Sequence, residues 1–208
     1  MKQFKTYLFD FDGTLFDSLK SSKYVFMKAY DLVGVKIKEE DVLEYTRIPV
    51  REIYTRLGVP MDKWETFFNA IAPLVNSKES LDLIDIYDDT YETMLDLYSQ
   101  EATLGIVTSN SATHVYDTLK KFNLDFDIFK TVVGYELSPL SKPDPSPILK
   151  ALELLNLKPN KDDICYIGDA LNDCLAAERA GVTPILLDRH DEYKDTKYLK
   201  ISSLSLLK

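Results

Sequence analysis

Short apolar runs that end in turn residues recur along the chain, and most run unbroken rather than alternating with polar positions. Tyr7-Leu8-Phe9-Asp10-Phe11-Asp12 leads into Gly13, and Thr103-Leu104-Gly105-Ile106-Val107-Thr108 ends at Ser109-Asn110. Ile164-Cys165-Tyr166-Ile167 stops at Gly168-Asp169, Pro184-Ile185-Leu186-Leu187 stops at Asp188, and Thr131-Val132-Val133-Gly134 is a weaker run. Continuous, partly β-branched runs of this kind mark strands buried on both faces, the pattern of a parallel sheet. Helical spacing fills the intervals. His114-Val115, Leu119 and Phe122 share one face behind Asn110 or Ser111 as caps, and Ile148, Leu152 and Leu155 follow Ser146-Pro147 as cap and first-turn proline. Cys174, Ala177 and Ala180 precede Gly181, which reads as a C-cap, and Tyr87 to Tyr98 reads as a helix feeding the second long strand.

Between residues 17 and 83 the strand pattern is missing. Val25-Phe26, Ala29-Tyr30 and Val33 form a helical stripe that stops at Gly34, and Trp64, Phe67-Phe68, Ile71 and Leu74-Val75 form another. The pattern therefore predicts a doubly wound α/β parallel sheet from residues 1–16 and 84–208, interrupted by an all-helical insertion over 17–83.

Composition narrows the function. With 13 Tyr, 10 Phe and 1 Trp in 208 residues, the chain can bury a substantial core. It carries 34 acidic residues against 25 basic, a net charge of −9, and no basic block, which argues against a nucleic-acid partner. No apolar run approaches the roughly 18 residues of a membrane span, and no secretory signal pattern opens the chain. Cys165 and Cys174 are too few for a disulfide framework or a thiolate zinc site, so a reducing, cytoplasmic setting is expected.

The polar residues that follow the strands carry the chemistry, because open α/β sheets place ligands beyond the strand ends. Asp10 and Asp12, one residue apart in an apolar run, are expected on the same side of a strand. Thr108-Ser109-Asn110 lies at a strand-to-helix turn, where hydroxyls and N–H groups can seat an anion. Lys142 precedes Pro143, and Asp169 and Asp173 lie four apart at a helix start. If Asp10, Asp12, Asp169 and Asp173 converge, like charges drive their pKa values up unless a cation intervenes, and a hard divalent ion with oxygen ligands suits them. No Gly-x-x-x-x-Gly-Lys phosphate loop is present.

These strings, Asp10-x-Asp12-Gly13-Thr14, Thr108, Lys142-Pro143 and Gly168-Asp169-x-x-x-Asp173, occur in that order over nearly the whole chain. In this the sequence resembles the haloacid dehalogenase-like hydrolases, specifically the phosphoglycolate phosphatase-like and β-phosphoglucomutase-like members with a helical cap after the first strand. The resemblance implies a Rossmann-like catalytic core and a Mg²⁺-dependent phosphatase acting on a small phosphomonoester, phosphoglycolate-like or a sugar phosphate. It implies that Asp10 is the nucleophile and forms an aspartyl-phosphate, while Asp12 protonates the leaving oxygen and then activates water. Thr108, Ser109, Asn110 and Lys142 would hold the phosphoryl group. Mg²⁺ would be held by Asp10, the backbone carbonyl of Asp12, and Asp169, with Asp173 a direct or water-mediated ligand.

The cap segment Thr46-Arg47-Ile48-Pro49-Val50-Arg51-Glu52 resembles the substrate-selecting stretch of the phosphoglycolate phosphatase-like members, with Arg47 in place of the usual Gly and Arg51 matching the pattern. Arg47 and Arg51 are thus the candidates for substrate choice, since a guanidinium can grip a carboxylate or phosphate with two bonds. Tyr87-Asp88-Asp89-Thr90 departs from the Tyr-Pro-Gly that usually precedes the second core strand. A sugar-phosphate mutase of the β-phosphoglucomutase type remains an alternative, and so, further off, does a haloacid dehalogenase, whose members generally lack the acid supplied by Asp12. A signalling receiver domain is shorter and lacks the helical insertion. A monomer and a dimer are both compatible with the sequence.

Overall fold

The computed structural model describes residues 2–48, 50–124, 126–138 and 140–208. The chain forms two compact units, one of Met1–Phe16 with Ile86–Lys208 and one of Asp17–Asp85. The crossings between them fall in two-residue strands, β2 (Phe16–Asp17) and β3 (Asp85–Ile86), which pair with each other.

The first unit is a doubly wound α/β structure. Its strands are β1 (Thr6–Phe9), β4 (Thr103–Val107), β5 (Phe129–Val133), β6 (Ile164–Gly168), β7 (Thr183–Leu187) and β8 (Leu199–Ile201). They form a sheet in the order β5-β4-β1-β6-β7-β8, every neighbouring pair parallel. All residues of β1 and β6 are buried, as unbroken apolar strands in a helix-covered sheet must be. The helices are α6 (Thr90–Ser99), α7 (Ala112–Lys121), α8 (Ser146–Leu154) and α9 (Leu171–Ala180). Leu8, Val107, Val133, Ile164 and Tyr166 pack against Ile148, Ala151 and Leu152 of α8 and Ala176, Ala177 and Ala180 of α9. Small residues on α9 let that helix lie close to the sheet. It ends at Gly181, whose φ of +75° is the left-handed C-cap conformation expected there.

Two local expectations need correction. Ser146 is not the cap of α8: it is the first helical residue, and the carboxylate of Asp144 accepts its N–H at 2.9 Å and its hydroxyl as well. Asp10 and Asp12 do not sit on the strand, because β1 ends at Phe9 and both acids lie in the turn beyond it. At α7 the cap is Ser111, whose hydroxyl accepts the N–H of His114 at 3.1 Å.

The second unit is helical: α1 (Leu19–Leu32), α2 (Val42–Tyr45), α3 (Val50–Arg56), α4 (Trp64–Val75) and α5 (Lys78–Asp82). Its core is aromatic. Phe67 lies 4.6 Å from Tyr30 and 5.0 Å from Tyr54, and Trp64 meets Tyr54 edge-on at 4.9 Å. Such pairs contribute about 0.5–1.5 kcal/mol each beyond their burial, which suits a unit built from short helices.

One polar anchor in the first unit has no counterpart in the apolar pattern. Arg189, just beyond β7, pairs with both oxygens of Asp89 at 2.9 Å, and Asp89 also accepts the Ser203 hydroxyl at 2.7 Å and the Leu204 N–H at 2.8 Å. Burial alone would raise the Asp89 carboxyl, but Arg189, Ser203 and Leu204 outweigh it and hold the group below the usual carboxylate range. A carboxyl lowered in the folded state adds stability above its unfolded pKa and loses it as pH falls through the folded value. Asp89→Ala should cost about 3–5 kcal/mol at pH 7, because it strands a largely buried guanidinium. Thermal melts from pH 7 down to pH 3 should show the gap between wild type and variant closing toward the acid end.

Candidate active site

The sheet register decides which side chains meet. Phe9 pairs with Ile106 of β4 on one side and Ile167 of β6 on the other, so three neighbouring strands end at one level. Pairing runs one residue further on each: the Asp10 N–H donates to Ile167 O at 2.8 Å, and the Thr108 N–H to Val133 O at 2.9 Å. Asp10, Thr108 and Asp169 therefore leave the sheet at the same edge, although about a hundred and sixty residues separate the first from the last.

Lys142 lies among them. Its ammonium is 2.7 Å from Asp10 Oδ1 and 2.7 Å from Asp173 Oδ1, with all three side chains 12% exposed or less. It also donates to the Tyr166 hydroxyl at 3.0 Å, and that hydroxyl donates to Val107 O at 2.9 Å. Asp173, in the first turn of α9, accepts the Ala170 N–H at 3.0 Å with its other oxygen. Burial pulls the Lys142 ammonium down, but Asp10 and Asp173 outweigh that and keep it protonated. Asp10 is pushed well above the usual carboxylate range by burial, and the charges of Asp173 and Asp169 add to the effect against the opposing pull of Lys142. Burial likewise raises the Tyr166 hydroxyl, which stays neutral and available as both donor and acceptor.

One oxygen from each of Asp10, Asp169 and Asp173 lies within 4.8 Å of the others. Two of these carboxylates, Asp10 and Asp173, pair with Lys142. A divalent cation fits this set: the donors are all hard oxygens, and its charge corrects the imbalance that raises Asp10. Backbone geometry keeps the acids close. At Gly13, where φ is +74°, an added Cβ would stand 2.5 Å from Asp169 Oδ2, and at Gly168 it would stand 2.3 Å from Asp173 Cγ.

Asp12 stands apart from this cluster. Its Oδ2 accepts the side-chain N–H of Asn110 at 2.6 Å, and the Thr108 hydroxyl accepts the Asn110 backbone N–H at 3.0 Å. Thr108 is buried and Ser109 exposed. At the start of α7, Glu136 accepts the Ala112 N–H at 3.2 and 3.3 Å. In the helical unit, Arg51 lies 5.8 Å from the centre of the Trp64 ring, and Arg47 is half-buried. Pro49 of the same segment lies outside the described residues. His114 is buried edge-on to Phe11, His190 is exposed, and Cys165 and Cys174 are buried and unbridged.

Sequence reasoning missed Tyr166, Glu136 and the Arg189–Asp89 pair. Tyr166 carried one signal: a hydroxyl inside a strand buried on both faces must find a partner.

A family model described as haloacid dehalogenase-like hydrolase matches residues 7–187. The chain belongs to this family. It is 34% identical, over 86% of its length and 79% of the relative's, to a protein of Caldanaerobacter subterraneus subsp. tengcongensis provisionally named pyrophosphatase PpaX. It is 33% identical to pyrophosphatase PpaX of Listeria monocytogenes serotype 4b, over 84% of this chain and 79% of that one. A solved structure from Bacteroides fragilis, provisionally assigned as a haloacid dehalogenase-like hydrolase, matches with a TM-score of 0.88 at 25% identity, covering 99% of this chain and all of its own. Within this hydrolase, Gly168→Ala should force Asp173 away from Lys142 and lower stability by about 1–3 kcal/mol, read from urea melts.

Proposed function

We propose that this hydrolase is a Mg²⁺-dependent phosphatase that cleaves a small phosphorylated metabolite through an aspartyl-phosphate on Asp10. The observation that supports this most directly is the placement of Asp10 against Lys142 and beside Asp169 and Asp173 at one sheet edge. In the first step an Asp10 oxygen attacks phosphorus and the bond to the leaving oxygen breaks. Asp12 gives that oxygen its proton. In the second step Asp12 takes a proton from water, whose oxygen attacks the phosphorus, and inorganic phosphate leaves with the Asp10 carboxylate restored. Splitting one hard transfer into two easier ones is the advantage of a covalent intermediate. Lys142 offsets the negative charge on Asp10 and on the phosphoryl oxygens, and the Thr108 hydroxyl, with Ser109 and Asn110, binds the phosphoryl group.

Asp10, Asp169 and Asp173 would hold the Mg²⁺, with the backbone carbonyl of Asp12 as a further ligand. When bound, the ion supplies charge neutralisation to the transferring phosphoryl group. Arg47 and Arg51 are the proposed specificity residues. Inorganic pyrophosphate, the substrate named for the relatives, stands first among the candidates, and a phosphoglycolate-like or sugar phosphate monoester second. Among the described residues no helix is long and apolar enough to cross a membrane. Two buried, unbridged cysteines fit the proposed cytoplasmic setting.

Asp10→Asn should reduce turnover of pyrophosphate and of an aryl phosphate by at least ~10³-fold, as loss of a nucleophile does. Wild type stopped during turnover should carry a phosphoryl group on the peptide containing Asp10; turnover retained by the variant would exclude this nucleophile. Independently of activity, Mg²⁺ at a hundred times its Kd should stabilise the wild type by about 2.7 kcal/mol in thermal melts, and Asp169→Asn should lose most of that gain.

A further inference from the structure

We infer that Arg189 is a positioning residue for the reaction, fixing the turn that carries Asp12. This rests on the proposed role of Asp12 as the proton donor to the leaving oxygen. The turn from Phe11 to Phe16 closes on itself: the Gly13 N–H donates to Phe16 O at 2.8 Å, and the N–H groups of Leu15 and Phe16 both donate to Phe11 O, at 3.0 and 3.1 Å. A turn bonded internally moves as a unit, so its location depends on what grips it from outside.

Two carbonyls provide that grip. Arg189 Nη2 donates to Thr14 O at 3.0 Å, and the Thr90 hydroxyl donates to Leu15 O at 2.8 Å in a buried bond. Arg189 is itself held on three sides. Asp89 takes both ends of its fork, and the Tyr87 ring lies 3.9 Å below the guanidinium. Its own loop is braced by Asp188, which accepts the N–H groups of Glu192 and Tyr193 at 2.8 and 3.0 Å. Asp89 stands in the Tyr87–Thr90 segment, where the sequence departs from Tyr-Pro-Gly. The departure thus brings a carboxylate whose partner is the arginine that holds Thr14. A lysine cannot replace this device, because a point charge lacks the planar fork that spans Asp89 and a carbonyl together.

Arg189→Lys and Asp89→Asn test the assignment, at a temperature well below each variant's Tm. Hydrogen exchange should quicken about tenfold in a peptide covering residues 11–16 and stay unchanged in peptides of β4 and β6. The catalytic readout is the leaving group. A displaced turn impairs proton donation, which an alkyl phosphate needs and dinitrophenyl phosphate does not, so kcat/KM should fall about tenfold for the first and less than about twofold for the second. Unchanged exchange over residues 11–16 in both variants overturns the inference. So does an equal fall of kcat/KM for the two esters, which a merely structural role would give. Faster exchange over residues 11–16 in a protein whose wild type turns over no phosphate would overturn the phosphatase reading and leave the grip on the turn established.

Discussion

Two buried carboxylates share one lysine at the edge of the sheet, and much else in the first unit serves that arrangement. Asp10 and Asp173 each approach Lys142 to 2.7 Å, and Asp169 adds a third acid nearby. Burying charge is costly unless it is paired and hydrogen-bonded, and here Lys142 answers both Asp10 and Asp173. The structure tolerates this because the groups are fixed by strong local ties: Asp10 by pairing with β6, Asp173 by an N–H at the start of α9, and Lys142 by the Tyr166 hydroxyl. A fold that merely minimised its own energy would place an apolar residue at one of these positions. The three clustered carboxylates offer hard oxygens that suit a bound divalent cation.

Bringing these acids together depends on the register of the parallel sheet. A slip between β1 and β6 would break the bond of the Asp10 N–H to Ile167 O and carry Asp10 away from Asp169 and Asp173. The matched ends of β1, β4 and β6 are therefore as much a part of the site as the acids themselves. The glycines at 13 and 168 belong to the same constraint. Each removes a Cβ from space that a carboxylate of the cluster fills.

What could be read from the chain follows from how local each signal is. β1, β4 and β6 were legible because burial on both faces writes an unbroken apolar run, and α9 was legible from its small-residue stripe and Gly181. β8 left no such trace: it is a three-residue edge strand with only Ile201 buried. The acids were legible because polar groups at strand ends have few structural uses, whereas Lys142, in the loop before α8, stood out only through the family resemblance. Arg189 was not, since nothing near residue 189 says that its partners lie 100 residues back at Asp89 and 175 back at Thr14. Asn110 was legible as a polar residue at a helix start, while its bond to Asp12 depends on the β1–β4 pairing that brings the two loops together. Alternation along β1 could not place Asp10 and Asp12, because the strand ends at Phe9, before either.

The two acids of that turn are held in contrasting ways, and the contrast matches the division of labour proposed for them. Asp10 is buried and ion-paired with Lys142, yet burial and the neighbouring acids raise its carboxyl against that pull, so the proposed nucleophile gains from a bound cation that holds it ionised. Asp12 is half-buried and accepts a hydrogen bond from the neutral Asn110 side chain, which orients its carboxyl. A group that must release a proton in one step and take one up in the next is best left without a fixed countercharge, since a cation beside it would hold it ionised and weaken it as an acid. In the proposed reaction two carboxyls only one residue apart take the roles of nucleophile and proton carrier through their surroundings rather than their chemistry. Asn110 is central to that separation: lysine in its place would bring Asp12 the same kind of partner as Asp10 and erase the difference.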